Sequence, residues 1–590
     1  MSALVRALGG QAAVALVVFL WLAILLFRKT WLAPQTSWIG GCCDPEQGMW
    51  FLRWIPYAIG HLQNPWYTVS INYPTGVNLM WNPAIQLPGL LLWPVSVTQG
   101  PIVAYNVYIT LSVGLSAWCA YLALRRYTSG HLGPFIGGTV YGFSPYVLSH
   151  ALQHADLTCV AILPLLLLLL DEIVVRQRYP AVRVGIVLGL LAVAQLLVAA
   201  ELLAIAALVG VMTLVTLAAL QPRQIPGRLP YAARAAGWAV ATFVLLAAWP
   251  LAVQFIGPQR ITGAVHEPDV FVTDLLNFVV PTSVQALAPQ SALKVVTTFT
   301  GLEHEDTAYL GFPLLVLLCF VAGRLWKRLP IRVAAIVALG VAVLSLGPHV
   351  HVAGQVTGLR LPWSWVARLP LMENVLTSRL TVFVYLGAGL LLALFVDGAA
   401  GRSSGATVAA LSATAIALIP LFPRQPFPAW TVSIPPYFMS WQESRIPDGS
   451  VVLVAPRSHD GAGAIAMVWQ AETGDAFRMP NGYLLQPDAK GERLYDSPGD
   501  TISTVMDNIE EQGAMAVLDA PTRQAIERDL RAHHVDDVIV GPMDHRDLML
   551  RFFGELFGQQ PEVTGGVAVW RRVQVALAAG PCSPCQSSLP

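Results

Sequence analysis

Long runs without a charge, each near the roughly 20 apolar residues that a bilayer crossing needs, recur through the first 420 residues. Two of them read LTCVAILPLLLLLL at 157–170 and GIVLGLLAVAQLLVAA at 185–200. A water-soluble fold has no use for so many. Only 12% of the chain is charged, about half the usual share for a soluble domain. The expected fold is therefore an all-α polytopic membrane bundle. Its candidate spans lie at about 12–29, 102–123, 133–149, 157–175, 183–200, 202–219, 235–256, 308–323, 333–348, 380–397 and 407–422. The first is read as a retained helix and not a cleaved signal, because it runs into Phe27, Arg28 and Lys29 with no small-residue cleavage site.

An odd count of about eleven spans puts the two termini on opposite sides. With the N-terminus cytoplasmic, the inner loops hold Arg125, Arg126, Arg176, Arg178, Arg183, Arg223, Arg228, Arg234, Arg324, Lys327, Arg328 and Arg332. By this count about fourteen cations fall in about 60 inner residues, against about eight in about 150 outer ones, the positive-inside pattern. The apolar segment 84–98 contains Pro88 and Pro94, is short, and is expected to lie in the interface or re-enter from outside. The long loops, about 30–101, 257–307 and 349–379, then all fall on the extracytoplasmic side, which is where function is expected. Residues 1–423 form the expected membrane domain and 424–436 a Pro-rich linker. Residues 437–590 form an extracytoplasmic α/β domain with strands near 451–456 and 535–542 and a helix near 519–532.

Net charge is zero, so nucleic acid is not an expected partner; membrane lipid is. Cys42 and Cys43 are adjacent, and Cys582 and Cys585 form a CxxC, too little for a zinc site without further ligands. The first outer loop carries Asp44 and Glu46 just beyond the first span, where a general base could meet a lipid phosphate and a soluble acceptor. Asp44 also suits the N-cap of a helix over 46–60 with Pro45 in its first turn, and the two roles are compatible. His150, His154 and Asp156 fall between the third and fourth spans, and Glu201 between the fifth and sixth. Ionisable groups at a membrane edge are costly unless paired or facing water, which makes each a functional candidate. The second outer loop adds Arg260, His266, Glu267, Asp269 and Asp274, and the third adds Arg360, Trp363, Arg368, Glu373 and Arg379. Arginines there could clamp a phosphate, with Arg379 best placed at the mouth of a helix. His150 and His154 alone offer two ligands, so no residue is assigned to a metal.

Several stretches together carry a family resemblance: CDPEQGMWFLRW, NPWY, YPTGVNLMWNP, YGFSPYVLSHALQHADL, FIGPQRITG, VFVTDLLNFVVPTS, LPLMENVLTSRL and MVWQAETGDAFRMPNGY. Their order resembles the GT-C superfamily of membrane glycosyltransferases, within it multi-span members of actinobacterial type. The resemblance implies a polyprenyl-phosphate sugar donor, a glycan or lipid-linked acceptor in the cell envelope, inversion at the anomeric carbon, and a catalytic acid matching Asp44. It leaves the cofactor open between a divalent metal such as Mg or Mn and none. Members of this kind tend to have Gly where this chain has Cys43. Glu46 is the second catalytic candidate; His154, Asp156, Glu201, Arg260, Glu267 and Arg379 are the substrate-binding candidates, and the MVWQAETG and MPNGY stretches are taken to be acceptor-binding or structural, not catalytic. The rival reading is a non-catalytic protein that binds or transports lipid-linked glycans, which would call for internal repeats or broken helices in matched halves; the sequence has no internal repeat. A degenerate member that only binds glycans is a third, since fold does not fix activity.

Overall fold

The computed structural model describes residues 10–439, 446–459, 461–495 and 499–574, and Cys582 and Cys585 lie outside them. Among the described residues, five helices are long and apolar enough to cross a bilayer: Pro101–Leu124, Ala200–Leu220, Pro222–Ile256, Thr377–Ala400 and Ser404–Leu421. Four shorter apolar ones are Gly10–Leu26, Ala181–Leu196, Phe312–Arg324 and Leu329–Ser345. The protein is a multi-pass membrane protein. Pro101–Leu124 and Thr377–Ala400 are mostly buried, whereas Ala200–Leu220 and Ser404–Leu421 leave most of their surface out, as lipid-facing helices do. The stretches expected at 133–149 and 157–175 are interrupted. The first is Leu132–Gly142 followed by Pro145–His150, broken where Ser144 turns extended and its hydroxyl accepts from the Val147 N–H at 3.3 Å. Pro145 explains the break, since it disfavours a helical Ser144 and opens the next helix. The second is Ile162–Asp171 with a π-helical end at Glu172–Arg176. Segment 84–98 forms two helices of one to two turns, Gln86–Leu91 and Trp93–Gln99, too short to cross.

The chain divides into two compact units. The first holds residues 1–33, 106–249 and 264–429. Its centre is helix Leu132–Gly142, whose glycines bring backbones together: a Cβ on Gly133 or Gly137 would lie 2.4 or 2.5 Å from the carbonyl oxygens of Ala393 and Gly389, and one on Gly138 would lie 2.5 Å from that of Ala117. At one end Arg126 pairs with Asp171 and Glu172, Arg176 pairs with Asp171, and Arg228 Nη1 donates to the Val174 carbonyl at 2.9 Å. Three of the short Arg-rich loops thus meet.

The second unit holds 34–105, 250–263 and 430–590, so the first long loop packs with the C-terminal residues. A four-stranded sheet runs β3-β4-β2-β1, with β1 Val452–Ala455 parallel to β2 Asp537–Val540, and β4 Val567–Trp570 antiparallel to both β2 and β3 Glu562–Thr564. β1, β2 and β4 are buried throughout, which is why, Asp537 at the start of β2 apart, they read as apolar runs. Helix Thr501–Gln512 packs Ile502, Val505, Met506 and Ile509 onto the sheet, and Arg546–Phe557 packs Met549, Phe552, Phe553 and Leu556. The loop helix Asp44–Gly60 buries Met49, Trp50, Phe51 and Trp54. Trp50 Nε1 donates to Gln470 Oε1 at 2.7 Å, and Gln470 Nε2 donates in turn to the carbonyls of Ser70 and Phe477 at 2.9 and 2.7 Å.

Candidate active site

Asp44 is the first residue of a 17-residue helix whose N-cap is Cys43. The cap differs from the sequence expectation: Glu46, at the third position, reaches back to the Cys43 N–H at 2.6 Å, leaving the Asp44 side chain available for something else. Cys43 holds φ 87, a left-handed backbone that suits the Gly expected at this place. Its sulfur is bonded to that of Cys42. Glu46 is 2% exposed, and burial pushes its carboxyl up to about 8, against the backbone N–H groups of Glu46 and Cys43, which pull it down. Asp44 is only half-buried. Its Oδ1 accepts a hydrogen bond from the Tyr483 hydroxyl at 2.9 Å. Tyr105 Oη, electrostatically coupled to both acids, is buried and has no hydrogen-bond partner among the described residues. Arg260, in the same unit, is exposed.

The membrane unit holds a second cluster. Arg379, in the turn before helix Val382–Ala400, pairs with Glu201 and Glu305. Its Nε lies 3.0 Å from Glu305 Oε1, and the Ser378 hydroxyl donates to Glu305 Oε2 at 3.0 Å. Glu201 Oε1 accepts from the Leu376 N–H at 2.7 Å. Burial alone would raise Glu305, but Arg379, His150 and His154 outweigh it and hold the carboxyl well below the usual carboxylate range. Asp156 contributes to the field at Arg379. Arg379 is thus engaged by two carboxylates, and a phosphate would have to displace one of them. His150 Nδ1 and His154 Nδ1 are 3.0 Å apart, and His154 Nδ1 lies 3.7 Å from Glu305 Oε1. One donor atom from each of these three residues lies within 4.8 Å of the others, and His150 Nε2 is buried without a partner among the described residues. Two imidazoles and a carboxylate form a donor set that fits a divalent transition metal, above all zinc.

Glu267 is exposed and borders a cavity of about 260 Å³ with His266, Trp363 and Glu373. Asp274 accepts from the N–H groups of Leu276 and Gly354, and Asp269 pairs with His349. Arg360 and Arg368 are exposed. Sequence reasoning brought His154, Asp156, Glu201 and Arg379 forward one loop at a time, and the fold gathers them. It missed Glu305 and Tyr483. The acid-rich GLEHED run just before an apolar helix was the available signal for Glu305; Tyr483 had only its place in MPNGY.

The family model of DUF6311, described as a domain of unknown function, matches residues 12–372. The chain belongs to the DUF6311 family. No curated protein matches the sequence. Among solved structures the chain is similar to the arabinofuranosyltransferase AftD from Mycobacteria, with a TM-score of 0.53 at 15% identity over 95% of this chain. It spans 40% of the length of that protein. Weaker likenesses are to ArnT from Cupriavidus metallidurans, solved with undecaprenyl phosphate, at a TM-score of 0.46, 13% identity, 94% of this chain and 97% of that one. The Archaeoglobus fulgidus oligosaccharyltransferase, solved with Zn and sulfate, gives 0.46 at 12% identity over 92% of this chain and 69% of that one. The DUF6311 chain has the GT-C fold that its sequence resemblance implies.

Proposed function

We propose that this DUF6311 protein is a membrane glycosyltransferase that moves a sugar from a polyprenyl-phosphate donor to a glycan or lipid-linked acceptor outside the cytoplasm, with inversion. One observation carries the reading: Asp44 is a half-buried carboxylate at the first turn of a buried helix, held by a hydroxyl donor at 2.9 Å, in a chain with the GT-C fold. A carboxylate so held can take the proton from an acceptor hydroxyl. The acceptor oxygen then attacks the anomeric carbon, the bond from that carbon to the phosphate oxygen breaks, and polyprenyl phosphate leaves with the electron pair. Glu46, buried and occupied in capping, supports the turn that presents Asp44. The distribution of arginines supports a cytoplasmic N-terminus and an extracytoplasmic working face.

A divalent ion would be held by His150, His154 and Glu305, and when bound would supply positive charge to a phosphate. Glu201 and Arg379 set the charge around that place, with His154, Asp156, Arg260 and Glu267 as further substrate-binding candidates. The test is to incubate purified protein with a panel of polyprenyl-phosphate sugars and measure released polyprenyl phosphate. Asp44→Asn should fold and bind donor while its rate falls by about 100- to 10,000-fold, the usual cost of losing a positioned base. Release by no donor in the panel, or near wild-type transfer by Asp44→Asn, overturns the proposal.

A further inference from the structure

The segment MPNGY, at 479–483, was expected to serve acceptor binding or structure. Its position gives it another task. Gly482 packs against Ile71 so closely that a Cβ there would sit 2.4 Å from the Ile71 side chain. The Met479 N–H donates to the Ser70 carbonyl at 2.9 Å, and the Tyr73 N–H to the Met479 carbonyl at 3.0 Å. Tyr483 itself is fixed at three points: its N–H donates to Ser458 Oγ at 3.3 Å, its carbonyl accepts from Gln47 Nε2 at 2.7 Å, and its hydroxyl donates to Asp44 Oδ1. Asp44 and Gln47 are three residues apart, one turn of the same helix, and so share a face. One residue from a segment more than 400 positions away thus grips both ends of the first turn.

A carboxylate on a first helical turn has two rotatable bonds, and as a base it must aim one oxygen at the acceptor. A phenol donating to Oδ1 takes one oxygen out of play and fixes the plane of the other. We infer that Tyr483 is a positioning residue for the transfer reaction, orienting Asp44 through its hydroxyl, so that the C-terminal segment completes the base and does more than bind acceptor. The inference rests on the reading of Asp44 as the base.

In the full-length protein, Tyr483→Phe removes one oxygen and keeps the ring. A hydrogen bond to a charged group is strong enough that its loss should lower the transfer rate by about 10- to 100-fold, with donor KM unchanged. The loss should fall on kcat, a split between kcat and KM that a merely structural residue would not produce. Fluorotyrosine placed at 483 keeps the shape and makes the hydroxyl a stronger donor, so kcat should change while donor KM holds; this serves if the Phe variant does not fold. A wild-type kcat in both substitutions, with Asp44→Asn inactive, overturns this inference alone. An active Asp44→Asn overturns the reading of the base and this inference with it.

Discussion

Asp475 shows what burial does to one carboxyl in this protein. It is 3% exposed, and neither side-chain oxygen has a hydrogen-bond partner among the described residues. Burial pushes it from 3.8 up to about 8, with Arg53 pulling the other way. A carboxyl raised on folding contributes stability that is fully present below its unfolded value and is lost as pH rises through the folded one. The protein should therefore lose stability from this group between about pH 4 and pH 8. Asp475→Asn should remove that loss, so that its melting temperature gains steadily on the wild type from about pH 5 to about pH 8.5. Melting curves at the two pH values check it, and an equal gap in both proteins refutes it. None of this could be read from GDAF in the sequence, where Asp475 looks like any loop acid. Glu46 was legible as an acid at the right place, but only packing made it a cap and left Asp44 for Tyr483.

At the scale of elements, helix Leu132–Gly142 is the joint of the membrane unit. Gly133 and Gly137 are four apart and meet helix Val382–Ala400, while Gly138 and Gly142, also four apart, meet Ala117 on Pro101–Leu124. The two pairs are offset by five residues, about 140° around the helix, so one short helix packs closely against two neighbours. Between membrane helices such contact relies on small residues, because lipid supplies no hydrophobic drive to bring helices together. Gly137→Val should force the carbonyl of Gly389 away and cost about 1–3 kcal/mol, as overpacking does. The readout is thermal aggregation in detergent, with Gly10→Val, where nothing lies within 4 Å, as the control. Equal melting of the two variants would sink the packing argument. The apolar character of this stretch was plain in the sequence; its break at Ser144 and Pro145 is also there in retrospect, since Ser before Pro opens a new helix.

For the whole molecule, the second unit is assembled from three separated stretches, 34–105, 250–263 and 430–590. Asn82 shows the closure, accepting from the Leu485 N–H at 2.8 Å and donating to its carbonyl at 2.9 Å. Asn78 Nδ2 likewise donates to the carbonyls of Val253 and Pro258 at 2.7 and 3.0 Å. Ending the chain at Pro436 removes Gln470, Tyr483 and Leu485, and with them the partners of Trp50, Asp44 and Asn82. Residues 34–105 should then become sensitive to protease, and donor hydrolysis should fall together with transfer. Protection of 34–105 equal to that in the full chain would contradict this.

What the sequence determined by itself was the membrane character and the placing of an acid beyond the first helix. Both follow from local composition: apolar runs of bilayer length and charge confined to loops are properties of consecutive residues. Tertiary structure alone decided which loops meet. Arg379 with Glu201 and Glu305, and Asp44 with Tyr483, are pairings across about 70 to 440 positions. Contacts at such separation are selected by how helices and loops pack, and no period or spacing in the sequence encodes them.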